Sequence, residues 1–327
     1  MLITPNINES KQSFVNRYVK QLTKIISVKN SVALAFRKWY LYNIKDPELD
    51  PTKYDDEKLI KGIYSGAINP LFLPNDLYSF HYLNLMGGVG FGIGLPSEFE
   101  IGTGFYKSTL AYKKNLESFS GVKTFHQTQD LSKQVFDTEG LKRPFKEFKD
   151  IATRINLDYN INWLKTEQNA AFRVAQSAEQ WQNTQDQKEV FPMLKYVTVG
   201  DERVRHTHAA YDGIIKPVNS SFWDTRMPIN DWGCRCIVVQ LRSGKETNLK
   251  KHLSGYNLKA DKKNQVKTLK NHSKTFANNA GKSGVIFPKT GHPYYKIPSE
   301  FKRAQNNNFE FTTPSDKEVK KTMRKIK

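Results

Sequence analysis

The chain has 327 residues, 38 % of them hydrophobic and 25 % charged, a balance that fits about two globular domains and excludes collagen, mucin and wholesale disorder. Its formal charge is +19, which points to an acidic partner such as nucleic acid or an anionic membrane. That charge is unevenly placed: Arg242 to Lys327 holds 21 Lys and Arg against 6 Asp and Glu, +15 on 86 residues, whereas the first 241 residues keep only +4.

Met1 to Ser10 lacks the features of a secretory signal, and no run of 18 apolar residues could span a bilayer, so residence in a cytosol is expected. Apolar residues at three- and four-residue steps, from Phe14, Tyr18 and Leu22 to Trp39 and Tyr40, predict a long amphipathic helix that stops at Asp46-Pro47. A shorter helix is expected near Tyr54 to Ile68. Glycines 87, 88, 90, 92, 94, 102 and 104 then make residues 85–105 read as a flexible apolar loop, a hinge or assembly contact. No strand precedes these glycines and no Lys-Ser/Thr follows them, which excludes a phosphate-cradling loop.

Helical periodicity returns near Tyr106. A long helix is predicted from Phe145 to about Trp181, with Phe148, Ile151, Ile155, Tyr159, Trp163, Ala170, Val174, Ala178 and Trp181 on one broad face and Pro144 in its first turn. After Pro192 the texture changes to short β-like runs, Lys195 to Val199 and Cys236 to Leu241, separated by turn-rich sequence. The fold class expected is α+β. Its parts are a helical region over 1–143, a long helix with a small mixed module over 144–241, and a basic, partly irregular extension over 242–327. In that extension Gly284 to Phe287 and Pro293 to Tyr295 suggest one small ordered element. The chain reads as loose from Asn306, ending in a basic helix or a disordered tail from Lys317.

The densest polar constellation is Asp201, Arg203, Arg205, His206 and His208, followed about 25 residues later by Trp232, Cys234, Arg235 and Cys236. Thiolate and imidazole suit a tetrahedral zinc ion, and H-x-H and C-x-C on two adjoining strands would place His206, His208, Cys234 and Cys236 on one face. Buried thiols with locally bonded histidines, or a strained disulfide between residues two apart, are the alternatives. Asp201, Arg203, Arg205, His206 and His208 could also serve phosphodiester chemistry, although alternating Asp and Arg commonly form ion pairs that fix a turn. No Ser elbow, HExxH or Walker pattern supports a hydrolase. His252, His272 and His292 are widely spaced and read as surface or turn residues.

Asp201-x-Arg203-x-Arg205-x-x-His208, Asp212-Gly213, Phe222-Trp223, Pro228-x-Asn230 and Trp232-x-Cys234-Arg235-Cys236 together resemble the Mu protein F-like family of phage head morphogenesis proteins. Asn162-Trp163-Leu164-x-Thr166-Glu167 and Tyr196-Val-Thr198 resemble that family's lead-in, so the likeness covers about Trp163 to Leu241. More weakly, Gly281 to Phe287 and His292-Pro-Tyr294 are similar to an extension in some members. One departure is Pro228-Ile229, where the family often has two prolines.

The resemblance implies a minor head protein rather than an enzyme, associated with the portal protein and the major capsid protein. It would act in the head interior or at the portal vertex, and in the host cytoplasm during assembly. Asp201, Arg203, Arg205, His208, Gly213, Trp223, Pro228, Trp232, Cys234, Arg235 and Cys236 would then hold the module's fold. The rival reading is a metal-dependent nuclease or C-terminal toxin. The extension itself reads as a solvated arm whose Lys262, Lys263, Lys267, Lys270, Lys320, Lys321, Arg324 and Lys325 contact packaged double-stranded DNA through its phosphates.

Overall fold

A computed structural model describes residues 54–93, 104–256 and 274–325. The helix expected over Phe14 to Tyr40, residues 94–103 of the glycine-rich run, His272, and Lys262, Lys263, Lys267 and Lys270 lie outside the described residues. The architecture is α+β, a helical body joined to a three-stranded antiparallel sheet.

Helix α1 (Asp56–Ser65) starts where the Asp55 carboxylate accepts a hydrogen bond from the Lys58 amide, and it ends at Gly66, whose φ of 84° lets its N–H reach the Ile63 carbonyl. Helix α2 (Asn75–Ile93) is buried on nearly all sides. It corrects the expectation of a flexible loop, because residues 85–93 form its last turns. Glycine lowers helix propensity by about 1 kcal/mol relative to alanine, but here the missing side chains admit another helix. A Cβ on Gly88 would lie 2.6 Å from the Gln168 carbonyl oxygen, and one on Gly92 would lie 2.3 Å from that of Phe172.

Helix α3 (Gly104–Lys133) leads to a long rod composed of α4 (Phe145–Leu157), a π-helical turn (Asp158–Trp163) and α5 (Leu164–Asp186). This is the long helix expected from the sequence, with Pro144 as its N-cap. Ala170, Val174, Ala178 and Trp181 are buried as predicted, but Trp163 is 43 % exposed. The π turn explains the difference: its wider winding shifts the helical phase, and an α-helical wheel cannot anticipate that shift.

Past α5 the chain enters β1 (Met193–Val197), which pairs on one side with β2 (Ile215–Pro217) and on the other with β3 (Ile237–Leu241). The two longer strands match the β-like runs of the sequence. β2, three residues ending in proline at the sheet edge, has no such signal. Tyr196 and Val238 enter the main core, whereas Val197, Ile237, Val239 and Leu241 form a separate apolar cluster. The Gln180 side chain donates to the Val238 carbonyl at 2.8 Å, so α5 is tied directly to β3. Helices α6 (His206–Ala209) and α7 (Phe222–Arg226) are single turns inside the sheet connections, and α8 (Leu249–Ser254) follows β3.

The described part of the C-terminal region is packed, which corrects the expectation of a loose arm. It contains α9 (Ala280–Ser283), α10 (Lys302–Asn306) and α11 (Asp316–Lys325). Asn115 of α3 accepts from the amides of Ile286 and Phe287 and donates to the Phe287 carbonyl. Phe287 stacks on Phe119 and Phe311 on Tyr78, each with ring centroids 4.3 Å apart. Helix α11 lies against α2 and buries Val319, while Asp316 pairs with Lys113. His292 is buried rather than on the surface; burial and the nearby Lys123 and His126 charges lower its pKa to about 4.

One polar contact lies deep in this body. Lys123 of α3 and Glu167 of α5 are both almost fully buried and pair at 2.9 Å, with the Tyr294 hydroxyl 3.4 Å from the ammonium. The pair joins two helices and the C-terminal segment at one point.

Gly92→Ala is expected to lower the unfolding free energy by about 1–3 kcal/mol, through overpacking of α2 on α5, despite alanine's better helix propensity. Urea denaturation monitored by circular dichroism measures it, and equal or greater stability would refute the close approach of the two helices.

Candidate functional site

The motif residues converge on the connections around β1 and β3. Asp212-Gly213 is the turn that returns the chain to the sheet. Asp212 accepts from both the amide and the hydroxyl of Thr198, at 2.7 and 3.1 Å, and Gly213, with φ at 79°, donates its N–H to the Tyr196 carbonyl. Trp223 is fully buried, and its indole N–H donates to the Pro217 carbonyl at 2.9 Å. The Trp223 carbonyl in turn accepts from Asn279 of the C-terminal region. Pro228 is buried in the same connection.

Two clamps join the 201–205 loop to the turn before β3. Arg235 donates to both carboxylate oxygens of Asp201 at 2.7 Å, and Arg205 donates to the Trp232 carbonyl at 2.8 Å while lying 3.3 Å from Asp231. The fork of Arg235 matches the carboxylate geometrically, which is why a bidentate pair fixes relative orientation better than a point charge would. Arg203, by contrast, is mostly exposed and 3.6 Å from Asp201, so its contribution is screened by solvent. Trp232 is half-buried and packs edge-on against Phe276 with centroids 4.8 Å apart.

His208, Cys234 and Cys236 form the inner layer. All three are buried, and their ligand-type atoms lie within 4.8 Å of one another. The Cys236 sulfur is 3.8 Å from His208 Nδ1. Both cysteines are free thiols, so the disulfide alternative is not what the structure contains. Burial opposes ionisation of Cys234, but hydrogen bonds from Cys236 and His208 outweigh it and hold its thiol well below the ordinary range. The hydrogen bond to Cys234, together with burial, pushes Cys236 well above that range. Tyr196 lies beside Cys236, and its hydroxyl accepts from Asn230 Nδ2 at 3.0 Å.

His206 does not join this cluster. The strand expected for the H-x-H segment is instead α6, where residues two apart point about 200° from each other. His206 is exposed and faces Tyr256, while His208 turns inward. The residues considered for phosphodiester chemistry are separated in the same way: Asp201 is paired with Arg235, and His208 with Cys236.

Among the basic residues considered for DNA contact, Lys320 and Lys321 lie on α11, with Lys321 exposed, and Arg324 and Lys325 occupy its last turn. That helix packs on α2. Sequence reasoning misses Arg226, which is buried with its guanidinium over the Tyr211 ring at 5.6 Å. A single basic residue in a turn-rich stretch carries no sign of burial. Among the described residues, no helix is long and apolar enough to cross a membrane.

Residues 129–239 match the family model described as Phage Mu protein F like protein, a stretch that takes in the end of α3, the long rod and the sheet with its clamps. Over 78 residues the chain is 40 % identical to the Mu-like prophage FluMu F protein of Haemophilus influenzae, covering 24 % of this chain and 18 % of that protein. Over 86 residues it is 31 % identical to the putative capsid assembly protein F of Escherichia phage Mu, covering 26 % and 20 % respectively. The matched segment therefore spans about a fifth of the curated relatives' length. No solved structure matches the chain.

The Asp201 clamp has a pH signature. The hydrogen bond from Arg235 is the main reason the Asp201 carboxyl is held below its ordinary pKa. A depressed carboxyl contributes stability above the unfolded-state pKa, and that stability disappears as pH falls through the folded-state value. Asp201→Asn is therefore expected to melt at a lower temperature than the parent near neutral pH, with the gap closing in acid. Thermal unfolding across pH checks this, and identical melts near neutrality would refute it.

Proposed function

We propose, from the Mu F-like module that residues 129–239 carry, that this chain is a phage minor head protein acting in head morphogenesis and virion assembly. The observation that carries the reading is the family match together with what its motif residues do. Asp201, Arg205, Trp223 and Arg235 are engaged in contacts that fix the connections around the sheet. Such residues build a shaped scaffold rather than present an unpaired acid or base, which favours a non-enzymatic role. The name of the phage Mu relative, a putative capsid assembly protein, supports the same reading.

The finer assignment is that the protein works at the portal vertex or inner capsid, against the portal and major capsid proteins, and contacts packaged DNA without sequence preference. The basic region supports the DNA part: +15 on residues 242–327, with Lys262, Lys263, Lys267 and Lys270 close together in sequence. Because residues 274–325 supply Phe276, Phe287 and Val319 to the core, deleting the region would damage the body as well as remove charge. Substitution is the sound test.

Disrupting this gene in an inducible prophage is expected to reduce normal heads seen by electron microscopy, with restoration by a wild-type copy. Normal head yield without it would overturn the assembly role. For the DNA contact, Lys262, Lys263, Lys267 and Lys270 replaced together by Gln should flatten the salt dependence of duplex binding. The log–log slope should fall by about 0.9 for each phosphate that is no longer neutralised. An unchanged slope would move the DNA-binding surface elsewhere.

A further inference from the structure

We propose that His208, Cys234 and Cys236 bind a zinc ion that staples α6 to the turn preceding β3. The donors come from two segments 26 residues apart in sequence, and the fold brings their ligand atoms within 4.8 Å of one another. A tetrahedral zinc ion, with bonds of about 2.3 Å to sulfur and 2.0–2.1 Å to nitrogen, sets its ligand atoms about 3.6–3.8 Å apart. The 3.8 Å from Cys236 sulfur to His208 Nδ1 already meets that spacing. The remaining separations need to contract by at most about 1 Å, within reach of side-chain rotation.

Two further points favour an ion here over bare thiols. A divalent cation with two thiolates has no net charge, so it makes a buried thiolate pair tolerable where two uncompensated anions would not be. The flanking contacts have the form of an outer layer that orients ligands: Tyr196 lies beside Cys236, Asn230 donates to Tyr196, and Arg235, between the two cysteines, is fixed by Asp201.

Thiolate with imidazole selects a borderline-soft metal over magnesium or calcium. Three protein donors leave a fourth tetrahedral position to water, and Asn230, with Oδ1 buried and without a hydrogen-bond partner, is the adjacent polar residue with a spare acceptor. Exposures of 2 %, 2 % and 7 % for His208, Cys234 and Cys236 place the ion's protein donors inside the fold. It would tie together, from inside, the same segments that the Asp201–Arg235 and Arg205–Trp232 clamps join from outside.

The full-length chain, purified without a histidine tag, is expected to contain about one zinc per molecule by elemental analysis. Less than roughly a tenth of an equivalent, or copper in place of zinc, overturns the proposal. His208→Ala and Cys236→Ser should each release the metal and lower the melting temperature, while His206→Ala should keep it. Retention by either of the first two, or its loss from the third, overturns this ligand set. Should those variants fold poorly, chelator-treated wild-type protein titrated with cobalt(II) gives a second measurement. Thiolate-to-cobalt charge-transfer bands with tetrahedral ligand-field absorption support the site, and their absence overturns it. These measurements read the isolated protein, so they stand or fall separately from the head-assembly experiment.

Discussion

The close approach of α2 to α5 is the constraint on which the rest of the structure depends. Gly88 and Gly92 leave no room for a Cβ against the Gln168 and Phe172 carbonyls, so the two helices meet backbone to backbone. Helix α5 is thereby seated in the helical body, and its C-terminal end leads directly into β1. The arrangement is repeated farther along by Gly281, where a Cβ would lie 2.6 Å from the Trp181 side chain. One helix is thus approached closely by a helix that precedes it and by a segment that follows the sheet.

Packing also bears on where the module ends. Its matched residues stop at 239, yet Asn279 holds the Trp223 carbonyl, Phe276 packs on Trp232, and Tyr294 reaches the buried Lys123–Glu167 pair. A buried ion pair is weak evidence for stability, because desolvation offsets most of its attraction, but it is demanding about geometry. Removing one partner leaves an uncompensated charge, so the pair penalises arrangements in which α3 and α5 slide past one another. The C-terminal segment covers that pair, and the matched segment is continuous in packing with sequence on both sides of it.

Much of this is legible in the sequence, and what is not has physical reasons. The rod from Phe145 can be read because apolar spacing at 3.6 residues survives tertiary packing, and two of the strands because β-branched runs between turn signals are locally determined. The glycine-rich run misleads because propensity treats glycine as a breaker, whereas Gly88 and Gly92 are needed for a contact with residues some 80 positions away. His206 and His208 share a motif but not a direction, since α6 sends one outward and one inward. The family motif names the clamp residues, and only the folded chain pairs Asp201 with Arg235 and Arg205 with Trp232.

The uneven charge takes on a different meaning for residues 274–322, which are packed against the helical body. An appended arm would carry its lysines independently of the body, and its contacts would be as diffuse as its conformation. Here the residues after 274 are anchored by Phe287 on Phe119, Phe311 on Tyr78 and α11 on α2, so exposed cations such as Lys317 and Lys321 keep a defined place on the helical body. Fixed charges on a rigid face create an oriented field, which favours one docking orientation against a polyanion even when no base is read. The aromatic residues that hold this part of the chain against the body also complete the core around α3 and α5, so the placement of these cations and the packing of the helices are set by the same contacts.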